Sequence, residues 1–196
     1  MKFFSHYSVS MLANTYLIGP DGPGDALIVD PGAMDVPLLE LIEGNEYYLR
    51  YVLITHPDET HARGVKTIRK IYDASIYAAV SSVYSFPCNR LYDGDTERVG
   101  EFTVQAIGMP SHLRETMIYA INGLLFTGNT LSAGIVGDIE NNYTKTMLQQ
   151  TLSTALEPLP DSMPVFPSYG PPTTLGIERS TNPQLIGHPD SEEYAT

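Results

Sequence analysis

The chain has 196 residues, 42% hydrophobic and 17% charged, with one cysteine and a formal net charge of −12. That length suits a single domain, residues 1–196, with a sizeable core. The acidic balance argues against nucleic acid and anionic membrane as partners, and a lone cysteine, Cys88, excludes an internal disulfide or a Cys-rich zinc site.

No apolar run reaches the roughly 18 residues of a membrane span. The opening MKFFSHYSVSM makes a poor signal peptide, so a cytoplasmic protein is expected. In chain order, NTYLIG (14–19) and DALIVD (25–30) read as strands flanking the turn PDGPG. DVPLLELIEGN (35–45) reads as a short amphipathic helix stopped by Gly44 and Asn45. LRYVLIT (49–55) is an unbroken apolar run, as expected of a strand covered on both faces. THARGVKTIRKIY (60–72) carries Val65, Ile68, Ile71 and Tyr72 at helical spacing, with Thr60 in the N-cap place. SIYAAV (75–80) is the next strand.

The second half repeats the pattern. EFTVQAIG (101–108) alternates as a half-buried strand. ETMIYAI (115–121) and LLFTG (124–128) flank Asn122-Gly123, a strong hairpin signal. The spacing predicts a helix over 141–159 with the apolar stripe Tyr143, Met147, Leu148, Leu152, Ala155 and Leu156, ended by Pro158. PVFPSYG (164–170) reads as the last strand and a turn, a final helix is expected over 173–179, and the tail after Pro189 as frayed. Strand pairs alternating with single helices in two similar halves predict an α+β fold: two mixed sheets covered by outer helices.

Polar residues gather just beyond the apolar strands: Asp30 after LIV, His56 to His61 after YVLIT, His112 after TVQAIGMPS, Asn129 after LLFTG and Tyr169 after PVFPS. Loops at strand ends of a layered fold are where sites form.

These segments carry a resemblance. NTYLIG resembles the opening strand of the metallo-β-lactamase superfamily, and LIVDPGA its Asp-Pro-Gly turn. ITHPDETHARG resembles T-H-x-H-x-D-H-x-x-G, MPSHLRET resembles P-G-H-T-P-G-S, and LLFTGNTL resembles L-F-T-G-D-T-L. PSYGPPTTLGIERSTNP resembles P-G-H-G-P-P-T-T-x-x-x-E-x-x-x-N-P. The match runs from about residue 11 to residue 183 and is closest to glyoxalase II-like single-domain members. It implies an αββα sandwich with the site at one edge, and hydrolysis driven by two metals that share an activated water.

The resemblance places the first metal's three His ligands at His56, Asp58 and His112. It places the second metal's Asp, His and His at Thr60, His61 and Tyr169, and the bridging Asp at Asn129. It therefore implies metal ligation by His56, Asp58, His61 and His112, with Asp58, Asn129 and Tyr169 at catalytic positions. Two imidazoles and a carboxylate suit one divalent metal, either zinc with an open position or ferrous iron. Flavodiiron relatives also carry a carboxylate at the Asp58 position. Thr60 and Asn129 cannot act as a general base, so slower hydrolysis is implied. Arg114 and Glu115 stand where the family has Pro and Gly.

Each residue also has a plainer reading. His56 suits a buried ring bonded to backbone, Asp58 a loop cap, Thr60 a helix cap, and His61 a ring over a helix N-terminus. Asn129 suits a loop donor, Tyr169 a ring filling the vacated second site, and Asp30 a carboxylate bonding nearby backbone N–H groups. His6 and His188 lie outside every motif and suit surface positions. Two function classes follow: a one-metal hydrolase of a small ester or thioester, or a non-hydrolytic metal- or ligand-binding homologue. Either takes a small molecule as partner, and the metal is one or none.

Overall fold

A computed structural model describes residues 1–109, 115–137 and 142–186. The expected ligand His112, the Arg114 side of the Arg114–Glu115 pair and the expected frayed tail lie outside the described residues.

The first half contributes β1 (Lys2–Ser8), β2 (Ala13–Gly19), β3 (Gly24–Val29), α1 (Val36–Gly44), β4 (Tyr47–Leu53), α2 (Glu59–Ala62), α3 (Val65–Ile71) and β5 (Ser75–Ala78). The short strands β6 (Ser82–Val83), β7 (Phe86–Pro87) and β8 (Asn89–Arg90) follow. The second half contributes β9 (Thr96–Val99), β10 (Phe102–Gly108), β11 (Met117–Ile121), β12 (Leu124–Gly128), β13 (Leu131–Ser132) and β14 (Ile135–Val136). It closes with α4 (Asn142–Leu156), β15 (Pro164–Pro167), β16 (Thr173–Thr174), α5 (Leu175–Thr181) and α6 (Pro183–Ile186). One six-stranded sheet runs β1-β2-β3-β4-β5-β8, and the other runs β16-β15-β12-β11-β10-β9. Each mixes parallel and antiparallel pairs.

Side-chain alternation explains the layers. Tyr16, Ile18, Leu27 and Val29 point into a core shared with Val104, Tyr119, Ile121 and Phe126 of the second sheet. Their strand neighbours Leu17, Ala26 and Ile28 face the other way, onto Leu38 and Ile42 of α1 and Val65 and Ile68 of α3. On the far side, Ile118, Leu125 and Val165 pack under Leu148, Leu152 and Leu156 of α4. The result is the expected αββα sandwich. No helix among the described residues is long and apolar enough to cross a membrane.

Several expectations needed correction. Lys2–Ser8, for which the sequence reading named no element, is a full edge strand, whose Phe3 ring stands 4.4 Å from the ring of Phe166. The expected helix over 60–72 is two short helices, because Gly64 is pressed against the Asp-Pro-Gly turn. Its N–H donates to the Pro31 carbonyl at 2.7 Å, and a Cβ there would stand 2.3 Å from that oxygen. The cap of the first piece is Asp58 rather than Thr60. Met147 of the predicted stripe is 42% exposed, since Leu148, Leu152 and Leu156 at four-residue spacing already cover the sheet. PVFP is followed by one more strand, β16. His6 is partly covered, its ring 3.0 Å from the carboxylate of Asp35, which caps α1.

Candidate metal centre

The ends of β3, β4, β12 and β15 meet at one edge of the sandwich. Asp30, just past β3, adopts φ +51° and is buried. Its carboxylate accepts from the Thr55 N–H at 2.8 Å, the Thr55 hydroxyl at 2.6 Å and the Ser168 hydroxyl at 2.9 Å. One side chain thus ties three strand ends together. Burial pushes its pKa up, against the pull of His61 and of these hydrogen bonds. Ser168 N–H donates to Gly128 O and Asn14 N–H to Ser168 O, both at 2.8 Å. Tyr119 OH donates to Ile54 O at 3.0 Å, closing the second sheet onto β4. The sequence reading missed Thr55, Ser168 and Asn14. Their one available signal was a polar residue at, or within, an otherwise apolar strand end.

On this frame sits the histidine loop. Asp58 Oδ1 caps α2 by accepting the His61 N–H at 3.1 Å. The same oxygen lies 2.5 Å from His61 Nδ1 and accepts the Thr60 hydroxyl at 2.8 Å. A carboxylate only accepts, so the His61 proton sits on Nδ1 and Nε2 faces away. That Nε2 is buried and has no hydrogen-bond partner. Asp58 Oδ2 lies 3.3 Å from His56 Nδ1, which is off the hydrogen-bond direction, so this nitrogen also lacks a hydrogen-bond partner. The Oδ1 atom of Asn129 is a third buried acceptor without a partner. Tyr169 places its hydroxyl 2.8 Å from Thr60 Oγ1 and its ring edge-on to His61, 5.9 Å between centroids. Because Thr60 gives its proton to Asp58, the Tyr169 hydroxyl donates to Thr60.

The field at this edge favours a cation. Burial works against the charged form of Asp58, yet the His56 and His61 rings and the Thr60 hydroxyl outweigh it and hold the carboxyl well below the usual range. Burial likewise works against an imidazolium at His61, but the Asp30 and Asp58 carboxylates prevail and push its pKa above the ordinary value. Burial, with Asp58 and Asp30 nearby, keeps the Tyr169 phenol protonated despite the Thr60 hydrogen bond.

His56, Asp58 and His61 each offer one ligand atom, and these three atoms lie within 4.8 Å of one another. Two histidines grouped with a carboxylate, each with a buried nitrogen that lacks a hydrogen-bond partner, fit a divalent transition metal. The structure therefore brings His56, Asp58, Thr60, His61 and Tyr169 together, and His112 lies outside the described residues.

The metallo-beta-lactamase superfamily model matches residues 11–169. A hydroxyacylglutathione hydrolase of Methylobacillus flagellatus is 31% identical over 110 residues, covering 55% of this chain and 44% of that protein. A probable polyketide biosynthesis zinc-dependent hydrolase, BaeB, of Bacillus velezensis is 29% identical over 131 residues, covering 63% of this chain and 58% of its own. The chain thus spans about half the length of these curated relatives. The crystal structure of ETHE1 from Myxococcus xanthus superposes with a TM-score of 0.82 at 25% identity, covering 95% of this chain and 85% of that one. The sandwich, the strand-end loops and the family match agree: this chain belongs to the metallo-beta-lactamase superfamily.

Proposed function

We propose that the chain is a metal-dependent hydrolase with a depleted dinuclear centre, binding one divalent transition metal, zinc or iron(II), and slowly hydrolysing a small ester or thioester. The observation that carries this reading is the grouping of His56, Asp58 and His61 at one strand–helix junction, with His56 Nδ1 and His61 Nε2 both buried and without a hydrogen-bond partner. His56, Asp58 and His61 would hold the ion, with His112 as a further ligand. A metal there supplies Lewis acidity, polarising a carbonyl and activating water. Asp58 Oδ1 orients His61 through Nδ1, the usual arrangement behind a ligating histidine. The reading takes residues 1–196 as one domain, because the two sheets share a core and the site draws on both. The names of the two hydrolase relatives support the reaction class, and the charge of −12 supports a small-molecule partner over nucleic acid or anionic membrane. The reading takes the cytoplasm as the protein's location.

The second reading is a non-hydrolytic metal or ligand binder. The Thr60–Tyr169 hydrogen bond favours it, because it joins the two positions where the family keeps an Asp and a His ligand. Elemental analysis of protein purified without added metal, followed by turnover of a thioester panel, tests both. About one metal per chain with chelator-sensitive turnover supports the hydrolase. One metal without turnover supports the binder, and two fully occupied metals overturn the depletion.

A further inference from the structure

Four of the chain's 11 basic residues, Arg63, Lys66, Arg69 and Lys70, fall within the 13 residues from Glu59 to Ile71. In so acidic a protein, this makes the stretch directly after the histidine loop locally rich in cations, with Glu59 inside it and Asp58 and Asp73 at its ends. Arg63 is the C-cap of α2, two residues past His61. The helices carrying these residues are fixed in place. A Cβ on Gly32 would stand 2.0 Å from Thr60 O, and Gly64 is bonded to Pro31 O at 2.7 Å.

Not all of the cations are committed. Arg69 is engaged, donating to Ala74 O at 2.7 Å and Asp73 at 3.3 Å. Arg63 meets Glu59 at 3.9 Å, with both side chains more than half exposed, a loose contact that an incoming anion can displace. Lys66 makes no ion pair among the described residues. Its ammonium instead stands 3.8 Å from the centroid of the Tyr84 ring. Tyr84 and Ser85 form the two-residue tip of the β6–β7 hairpin, at φ +48° and +70°. That left-handed pair is ordinarily supplied by Asn-Gly, and bulky residues avoid it. The tip holds an aromatic ring over Lys66 at a conformational cost. Burial, with the charges of Glu59 and Asp58, pushes the Tyr84 phenol up against the pull of Arg63. The ring is thus within electrostatic reach of the histidine loop, and its hydroxyl stays a donor.

We propose that Arg63, Lys66 and Tyr84 form a recognition surface for an anionic arm of the substrate, a carboxylate or phosphate, whose reacting group sits at His56, Asp58 and His61. Arg63 and Lys66 supply the charge, Tyr84 holds Lys66 in place and adds a hydroxyl donor, and Glu59 is the counter-ion displaced on binding. The inference rests on the hydrolase reading for the reacting group but not for the anion contact.

The test separates the two. Inorganic phosphate and succinate are titrated into 15N-labelled full chain, and amide shifts are followed at residues 63, 66 and 84. Saturable shifts there, weakened about fivefold or more in Lys66→Met and Arg63→Met and regained in Lys66→Arg, support the surface whether or not the protein turns anything over. Tighter binding of phosphate assigns a phosphorylated arm, and tighter binding of succinate a carboxylate arm. Where thioester turnover is measurable, two thioesters with one acyl group are compared, one with a neutral and one with an anionic thiol portion. Lys66→Met and Arg63→Met are expected to raise KM for the anionic substrate with kcat unchanged, and to leave the neutral one alone. Absence of saturable shifts at these residues, or equal KM changes for both substrates, overturns the proposal. Shifts without turnover leave the surface standing and count against the hydrolase reading.

Discussion

The hydroxyls of Thr60 and Tyr169 lie 2.8 Å apart although 109 residues separate them in sequence. Thr60 donates its hydroxyl hydrogen bond to Asp58, so a chain of hydrogen bonds runs from Tyr169 through Thr60 to the carboxylate that holds His61. This chain crosses the space between the histidine loop of the first sheet and the β15 end of the second. Thr60 and Tyr169 stand at the two positions at which the motifs that this sequence resembles, T-H-x-H-x-D-H-x-x-G and P-G-H-G-P-P, carry an Asp and a His.

Reversing the exchange is the direct test of depletion. The variant Thr60→Asp, Asn129→Asp, Tyr169→His returns two carboxylates and an imidazole and removes the closed hydroxyl pair. Metal content is expected to rise from about one toward two per chain, with faster thioester hydrolysis. A variant that folds yet gains no metal shows that the loop geometry has moved as well as the ligands.

Asp58 has two roles that one substitution can separate. Asn caps helices about as well as Asp, so Asp58→Asn keeps an acceptor for the His61 N–H. It removes the negative charge between the two imidazoles. The expected outcome is a far-UV circular dichroism spectrum and melting temperature close to wild type, with metal affinity lower by about 10- to 100-fold. Unchanged metal binding would show that Asp58 is a cap and nothing more.

The sequence made much of this visible, and the reasons are local. The strands β2, β3 and β12 and the Asn122-Gly123 hairpin announce themselves through apolar runs and turn chemistry, and both turn residues do adopt positive φ. The closeness of His56, Asp58 and His61 follows from spacing at a strand–helix junction. The hidden features depend on distant partners. The break at Gly64 is set by the Pro31 carbonyl, 33 positions earlier in the chain. Thr60 and Asp58 are both good caps two residues apart, and only the packed loop chooses between them. Edge strand β1 mixes polar and aromatic residues and gains its place from Phe3 against Phe166. Ser168 meets Asp30 across 138 residues, which no periodicity announces.

The Asp30 junction makes a graded prediction. In Asp30→Asn, the amide oxygen can accept the Thr55 N–H while the two hydroxyls turn to accept from the amide nitrogen. Asn also tolerates the left-handed backbone at φ +51°. A cost within about 1 kcal/mol is expected. Asp30→Ala leaves a buried Thr55 N–H unpaired and strains the backbone, for a loss of about 2–4 kcal/mol. Urea denaturation of the two variants measures the difference, and equal losses would contradict the hydrogen-bond account.

Gly128 closes β12 where the second sheet meets the first. Its φ is +57°, and an added Cβ would stand 2.4 Å from Thr55 Oγ1, the atom that donates to Asp30. Gly128→Ala therefore incurs two penalties: the left-handed backbone and a collision that pushes the Thr55 hydroxyl off the carboxylate. The first costs about 1 kcal/mol and the second about 1–3 kcal/mol. Gly123, at φ +85°, has open space around its Cβ position and carries only the first penalty. Gly123→Ala is thus the control, expected to lose about 1 kcal/mol with metal binding unchanged. Gly128→Ala is expected to lose more stability and to weaken metal binding as well, because Asn129 follows it directly and Thr55 leads into His56. Calorimetric melting with parallel metal titration reads both effects. If the two substitutions behave alike, Gly128 is needed only for its backbone, and the packing of Thr55 against it carries no weight at the site.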